Sequence, residues 1–268
     1  MTPKKSITYG STLNPNNRAP YAKKVIAISS GKGGVGKSTV AANIAVGLAQ
    51  QGYQVGLLDA DIYGPSIPRL FGVENERISW DEQNKMVPSE NFGVKVMSVG
   101  LTTPRNDTPL VWRSSVAISA LIQFLEDVAW GELDYLIIDM PPGTGDVQLT
   151  MAQELTLNGV ILVTTPQKVA TDDVARAICM FQDIKVPILG IVENMSYFIA
   201  PDTRTRYDIF GSGGAQLLCD TYGLTLLGQI PLQREIIEAC DEGKIAIALS
   251  EETIQKSYQK IVKKIVKQ

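Results

Sequence analysis

Short, nearly continuous apolar runs recur along the chain at residues 25–30, 53–60, 94–99, 133–140, 159–165 and 186–192, and a further one at 225–230. Runs of this length without alternation predict strands buried on both faces. The segments between several of them are long enough for helices. Residues 37–50 place Val40, Ile44, Ala45 and Leu48 at helical spacing before Gly52 ends the pattern, and residues 113–130 are helix-like as well. A hairpin is predicted around residues 80–85. Residues 251–268 predict a terminal helix with Ile254, Tyr258, Ile261, Val262, Ile265 and Val266 on one face and Lys256, Lys260, Lys263, Lys264 and Lys267 elsewhere. Strands alternating with helices predict an α/β fold: a doubly wound, mainly parallel sheet flanked by helices, in which ligands bind beyond the carboxyl ends of the strands.

Residues 1–24 break the pattern. They are polar, contain Pro3, Pro15, Pro20 and the run Asn14-Pro15-Asn16-Asn17, and predict a surface arm preceding one domain over residues 25–268. With 268 residues, 44% of them hydrophobic, that domain has ample material for a core. A net charge of -3 supplies no global attraction to nucleic acid or an anionic membrane. No apolar signal segment follows Lys4 and Lys5, and no apolar run approaches the roughly 20 residues of a membrane span. Three scattered cysteines make no disulfide framework, and a cytoplasmic location is expected. Histidine is absent, so catalysis must rest on carboxylates, lysines, backbone dipoles and a metal ion.

The chemistry gathers where predicted strands end. After the first strand comes Gly31-Lys32-Gly33-Gly34-Val35-Gly36-Lys37-Ser38-Thr39, a phosphate-binding loop. Its glycines let backbone N–H groups close around phosphate oxygens, and the helix behind it directs its positive end there. Lys37 is expected at the β- and γ-phosphates, and the Ser38 hydroxyl on Mg²⁺. Lys32 adds a second lysine, which the loop alone leaves open between a surface residue and a functional one. The second strand ends in Asp59-Ala60-Asp61, two carboxylates that can hold a Mg²⁺-bound water or orient the attacking water; Asp61 is favoured over Asp59, and turn formation or capping is the alternative. Residues 135–146 have the form of a Walker B strand, with Asp139 expected at the metal and Gly143 and Gly145 free to move with the γ-phosphate. Asp146 is a switch residue or a helix cap. Asn194, after the strand at 186–192, has an amide able to pair with an adenine edge.

With Gly31 to Ser38, Asp59 to Ser66, Asp139 to Asp146 and Glu193 to Phe198 in this order and spacing, the chain resembles the Mrp family of iron–sulfur cluster carrier ATPases, relatives of MinD, ParA and nitrogenase iron protein. The resemblance runs from about Val25 to near the C-terminus. It implies an ATP- and Mg²⁺-dependent homodimer that hands clusters to apoprotein clients or works with iron–sulfur assembly proteins; from the charge and the composition of the terminal helix, neither nucleic acid nor a membrane is expected as partner. It further implies that Lys32 reaches the partner subunit's phosphates, that Asp61 positions water, and that Asn194 and Pro231 meet the adenine. Members of the family carry Cys-Pro-x-Cys for a bridging [4Fe-4S] cluster where this chain has Ala200-Pro201-Asp202-Thr203. Alanine has no donor atom and threonine is a poor ligand for a cluster that requires soft thiolates. Cys179, Cys219 and Cys240 share no ligand-like spacing and are expected to be structural. Two other functions stay open: a nucleotide-switched positioning protein of the MinD or ParA kind acting at a membrane or DNA through a basic face or the terminal helix, and an ATP-dependent scaffold that carries no cluster.

Overall fold

The computed structural model describes residues 17–102, 114–245 and 252–268. An eight-stranded sheet forms its centre. In chain order the elements are β1 (Ala22–Ser30), α1 (Lys37–Ala49), β2 (Val55–Asp59), α2 (Ile67–Leu70), β3 (Ser79–Trp80), β4 (Met86–Val87), β5 (Ser89–Asn91), β6 (Val94–Ser98), α3 (Ser114–Glu126), β7 (Leu133–Asp139), α4 (Asp146–Glu154), β8 (Gly159–Thr164), α5 (Lys168–Asp183), β9 (Ile188–Glu193), β10 (Phe198–Ile199), β11 (Arg206–Tyr207), α6 (Gly214–Tyr222), β12 (Leu226–Gln229), α7 (Arg234–Asp241) and α8 (Glu252–Val266). The sheet order is β12-β9-β8-β1-β7-β2-β6-β5, parallel except for the β5–β6 edge hairpin. This is the doubly wound α/β sheet that the apolar runs predict.

Strand periodicity divides the core in two. Ile26 and Ile28 of β1 and Tyr135 and Ile137 of β7 face one side, which α1, α2, α7 and α8 cover. Val25, Ala27, Leu136 and Ile138 face the other, under α3 to α6. Both faces are covered, which is why the strands read as unbroken apolar runs.

Several boundaries move. The first strand starts at Ala22, pairing with Leu133, so the last residues assigned to the arm belong to the sheet. Just before it, Ala19 is buried and Arg18 bridges Glu126 at 2.6 Å and Glu154 at 3.0 Å, tying the entry of β1 to α3 and α4. The rest of the predicted arm, residues 1–16, and the predicted end residues Arg113 and Glu251 lie outside the described residues. The hairpin predicted at 80–85 is the β3–β4 pair; Asp81 Oδ1 accepts from the backbone N–H groups of Gln83 and Lys85 to shape its turn.

The terminal helix is docked. Ile254, Tyr258, Ile261, Val262 and Ile265 of α8 are each at most 1% exposed, packed against α1 and β12, while its lysines face outward. Burying a large aliphatic side chain contributes about 2 kcal/mol, and releasing this face would also expose the surfaces of α1 and β12 that it covers. Among the described residues no helix is long and apolar enough to cross a membrane.

Candidate functional site

The carboxyl ends of β1, β7 and β2 form the floor of the site. In register, Ile28 lies beside Asp139, and Asp139 beside Asp59, so the two acids point from adjacent strands at one level. The phosphate loop spans the space between β1 and α1. Ser30 Oγ donates to the Lys32 carbonyl at 2.8 Å and sets its first turn. Two glycines are required by space: a Cβ on Gly31 would sit 2.3 Å from the Asp173 carbonyl carbon of α5, and one on Gly36 would sit 2.2 Å from the Asn194 amide nitrogen. Gly36, with φ of 79°, also caps α1 in the left-handed region that favours glycine.

Lys37 is 6% exposed and points into this floor. Its Nζ donates to Asp139 Oδ1 at 2.6 Å, lies 3.9 Å from Asp61 Oδ2 and contacts Ser38 Oγ at 3.4 Å. Asp139 is fully buried, and its other oxygen, Oδ2, has no hydrogen-bond partner among the described residues. Burial pushes the Asp139 carboxyl above the usual range, opposed by the charge and hydrogen bond of Lys37 and by the Ser38 hydroxyl. An orphaned, desolvated carboxylate oxygen beside a serine hydroxyl suits a hard cation that takes oxygen ligands. Ser38 and Asp139 therefore fit the Mg²⁺ expected of them.

Asp59, also expected at the metal, is placed differently. Its Oδ1 accepts from Asp61 N–H at 3.1 Å, and its Oδ2 accepts from Ser66 N–H, Ile67 N–H and Ser98 Oγ at 3.0–3.2 Å. Both oxygens hold the loop between β2 and α2 in shape. Burial first, then the nearby Asp139 charge, pushes this carboxyl up to about 7, against Lys37 and the hydrogen bonds from Ile67 and Ser98. By fixing the loop, Asp59 aims Asp61 at Lys37; Asp61 is partly open, and its Oδ1 accepts from Gly64 N–H at 3.3 Å. Lys32 is half-buried on the loop and has no carboxylate partner among the described residues.

Behind the phosphate loop is a cleft of about 220 Å³. Gly36, Thr39, Asn194, Met195 and Pro231 line it together with Leu232, Gln233, Ile236, Ile237 and Cys240. The Asn194 amide donates to the Val35 carbonyl at 2.9 Å, joining the end of β9 to the phosphate loop. Sequence reasoning named Asn194 and Pro231 but not the wall that α7 supplies, because Ile236 and Cys240 read only as one face of an ordinary helix.

Glu193 was also missed as a positioning residue. It is fully buried, and its carboxylate accepts from Ser196 Oγ at 2.5 Å, Gln229 Nε2 at 2.7 Å and Ala215 N–H at 3.0 Å, locking the turn that presents Asn194. A charged residue ending a buried apolar strand was its only signal. Gln148 of α4 is likewise buried and donates to Ser29 Oγ beside the loop. Gly143 has φ of 101°, and its N–H donates to the Ser30 carbonyl at 2.9 Å, so the β7–α4 loop starts against the phosphate loop. Asp146 is the first residue of α4 with Gly145 at the cap, a position where its charge favours the helix dipole.

The hairpin β10–β11 carries Ala200 and Thr203 in an exposed turn closed by Ala200 N–H to Thr205 O and Arg204 N–H to Ala200 O. It contains no sulfur. Cys179 is exposed on α5, Cys219 is on the buried face of α6, and Cys240 faces Thr39 Oγ1 at 3.9 Å. Burial pushes the Cys219 thiol up to about 11 and also raises Cys240, which keeps both protonated. No group of three or more Cys, Asp or Glu suited to a metal ion occurs among the described residues.

Residues 21–266 match the family described as "ParA: NUBPL iron-transfer P-loop NTPase". The chain is 49% identical over 247 residues to an iron–sulfur cluster carrier protein of Aquifex aeolicus, covering 92% of this chain and 68% of the relative. It is 52% identical over 235 residues to a carrier protein of Deinococcus radiodurans, covering 88% of this chain and 66% of the relative. The chain thus spans about two thirds of the length of these relatives. Among solved structures, a nucleotide-binding protein of Archaeoglobus fulgidus in complex with ADP superposes with a TM-score of 0.77 at 40% identity, covering 89% of this chain and 93% of that one. The cell division ATPase MinD of Pyrococcus furiosus, at 22% identity, a TM-score of 0.68 and coverage of 91% and 99%, shares the fold.

Proposed function

This chain belongs to the NUBPL iron-transfer P-loop NTPase family, and from that premise we propose that it is a Mg²⁺-dependent ATPase acting as a homodimeric switch in the delivery of iron–sulfur clusters to apoproteins in the cytoplasm. The observation that carries the proposal is the buried Lys37–Asp139 pair with its orphaned carboxylate oxygen at the mouth of the phosphate loop. In the absence of nucleotide the lysine neutralises the acid. When phosphates enter the loop, Lys37 exchanges Asp139 for them, and the freed carboxylate and Ser38 would hold Mg²⁺. The metal supplies charge neutralisation to the transferring phosphoryl group. Asp61, aimed into the same space, orients the attacking water; Lys32 extends to the partner subunit's phosphates. Asp59 shapes the loop that carries Asp61 instead of meeting the metal. The base occupies the cleft between Asn194 and α7, where the Asn194 Oδ1 accepts from the adenine amino group and Pro231, lacking an N–H, offers only its carbonyl and ring.

The nucleotide switch does not depend on cluster thiolates. Ala200 and Thr203 do not fit a [4Fe-4S] cargo, and this favours a second reading in which the chain is a cluster-free scaffold that retains only the switch. The buried apolar face of α8 argues against the membrane-positioning alternative. Steady-state ATP hydrolysis tests the enzymatic part: Lys37→Ala is expected to lower turnover by about 100-fold or more, while Lys32→Ala loses hydrolysis and keeps nucleotide affinity. Wild-type turnover from Lys37→Ala would overturn the ATPase assignment, and wild-type turnover from Lys32→Ala would overturn the role in the dimer.

A further inference from the structure

A second cleft, of about 440 Å³, lies between α8, β12 and the start of the β10–β11 hairpin, and nothing in the nucleotide chemistry uses it. Arg206, Lys260, Lys263 and Lys264 line it with Tyr197 and Gln229, and no acidic side chain among the described residues does. The cations are held in different ways. Lys264 Nζ donates to the Leu226 carbonyl at 2.6 Å, and Arg206 lies 4.3 Å over the Tyr197 ring and 2.9 Å from Asp208, just outside the cleft. Lys260 and Lys263 have no carboxylate partner among the described residues, although the chain as a whole is acidic. Residues 253–268 contain five lysines and not one Asp or Glu, so the positive field continues along the helix beyond the cleft to Lys267.

We infer that this cleft docks an extended acidic segment of a partner protein. Four uncompensated or partly compensated cations around one concavity focus a positive potential that recruits carboxylates. Their chemistry separates the possible occupants. A single phosphate is recognised best by converging backbone N–H groups or a bidentate fork, whereas three of these four cations are lysines, flexible point charges strung along about one turn of α8. A bilayer requires a flat basic face with apolar side chains free to insert, and here the cations surround a concavity while the apolar face of α8 is buried. The footprint suits a chain of successive carboxylates lying along α8 toward Arg206. A partner held there sits beside the hairpin that bears Ala200 and Thr203.

The test uses the full chain and a fluorescein-labelled octaglutamate peptide followed by fluorescence anisotropy at low salt. Binding is expected, and it should weaken on going from about 50 to 300 mM salt as the charges are screened. The double variant Lys260→Glu/Lys263→Glu should lose at least about tenfold in affinity. Lys85→Glu/Lys244→Glu makes the same change in net charge on elements that do not line the cleft and should bind as the wild type does. ATP turnover and the thermal midpoint of Lys260→Glu/Lys263→Glu should match the wild type, which excludes misfolding. Equal loss in the two double variants, or no peptide binding at low salt, would overturn the inference. So would displacement of the peptide by inorganic phosphate at matched ionic strength, or a preference for phosphatidylglycerol vesicles over the peptide that the same two substitutions abolish; these would assign the cleft to a small anion or a membrane.

Discussion

The phosphate-loop end of the sheet and the β10–β11 hairpin are built on opposite principles. The first is buried. Lys37, Asp59 and Asp139 are almost completely removed from water; Lys37 and Asp139 hold each other, and backbone N–H groups with the Ser98 hydroxyl hold Asp59. The hairpin is exposed, closed by two backbone hydrogen bonds in its turn, and presents neither thiol nor carboxylate cluster. A site of the first kind loses stability when any one charge is altered, because a desolvated ion left alone is costly. One of the second kind tolerates replacement of its ligands, since its fold does not rest on them. The arrangement around Lys37 and Asp139 can therefore persist intact where the residues of the hairpin turn change.

The largest predicted effect tests that asymmetry directly. Without nucleotide, Lys37→Ala leaves Asp139 buried opposite no cation and should cost about 3–5 kcal/mol in urea denaturation at pH 7. The sign with pH follows from Asp139. Burial already raises its folded-state pKa above the unfolded value, and loss of Lys37 raises it further. The variant's folded state then binds a proton that the unfolded chain has released, so its deficit should shrink as pH falls from 7 toward the unfolded carboxylate range near 4. Arg206→Ala on the hairpin, half exposed, should change stability by less than about 1 kcal/mol in the same measurement. Comparable losses at the two positions would break the comparison.

An intermediate effect is expected from restoring ligands. Anaerobic reconstitution of the wild type with iron and sulfide should leave little protein-bound iron after desalting, whereas Ala200→Cys/Thr203→Cys should retain iron and gain cluster absorbance, with ATP turnover within about twofold of wild type. A stable stoichiometric cluster on the wild type would show that ligands outside the hairpin serve. A smaller effect, on nucleotide binding, is expected at Asn194. Asn194→Ala removes one hydrogen bond to the phosphate loop and the proposed base contact, each worth about 1 kcal/mol, and should weaken ATP binding roughly five- to thirtyfold by calorimetry. Equal weakening of ATP and GTP would assign Asn194 to loop support alone.

Much of this was legible in the residue order. The strand positions followed from apolar runs that only a sheet covered on both faces requires, and the phosphate loop, Asp61 and Asp139 followed from the rule that such sheets carry their chemistry at strand ends. The start of β1 was misplaced because Lys23 and Lys24 are polar, yet an exposed strand end can pair with β7 without being apolar.

What the sequence by itself determined is the kind of chemistry: a phosphate loop with two lysines, acids on neighbouring strands, and a hairpin without thiols. Tertiary structure decided how the parts are used. Asp59 and Asp139 are both acids ending buried strands, and no local pattern separates them. Only the fold shows that four donors engage both oxygens of Asp59, while Asp139 keeps a bare oxygen beside Lys37 and Ser38. Likewise the amphipathic pattern of α8 is the same whether its apolar face meets a bilayer or the sheet, and its lysines become a cleft only when β12 and Arg206 close the other side. Hydrogen-bond saturation and concavity arise from residues far apart in the chain, so they exist only once the chain has packed.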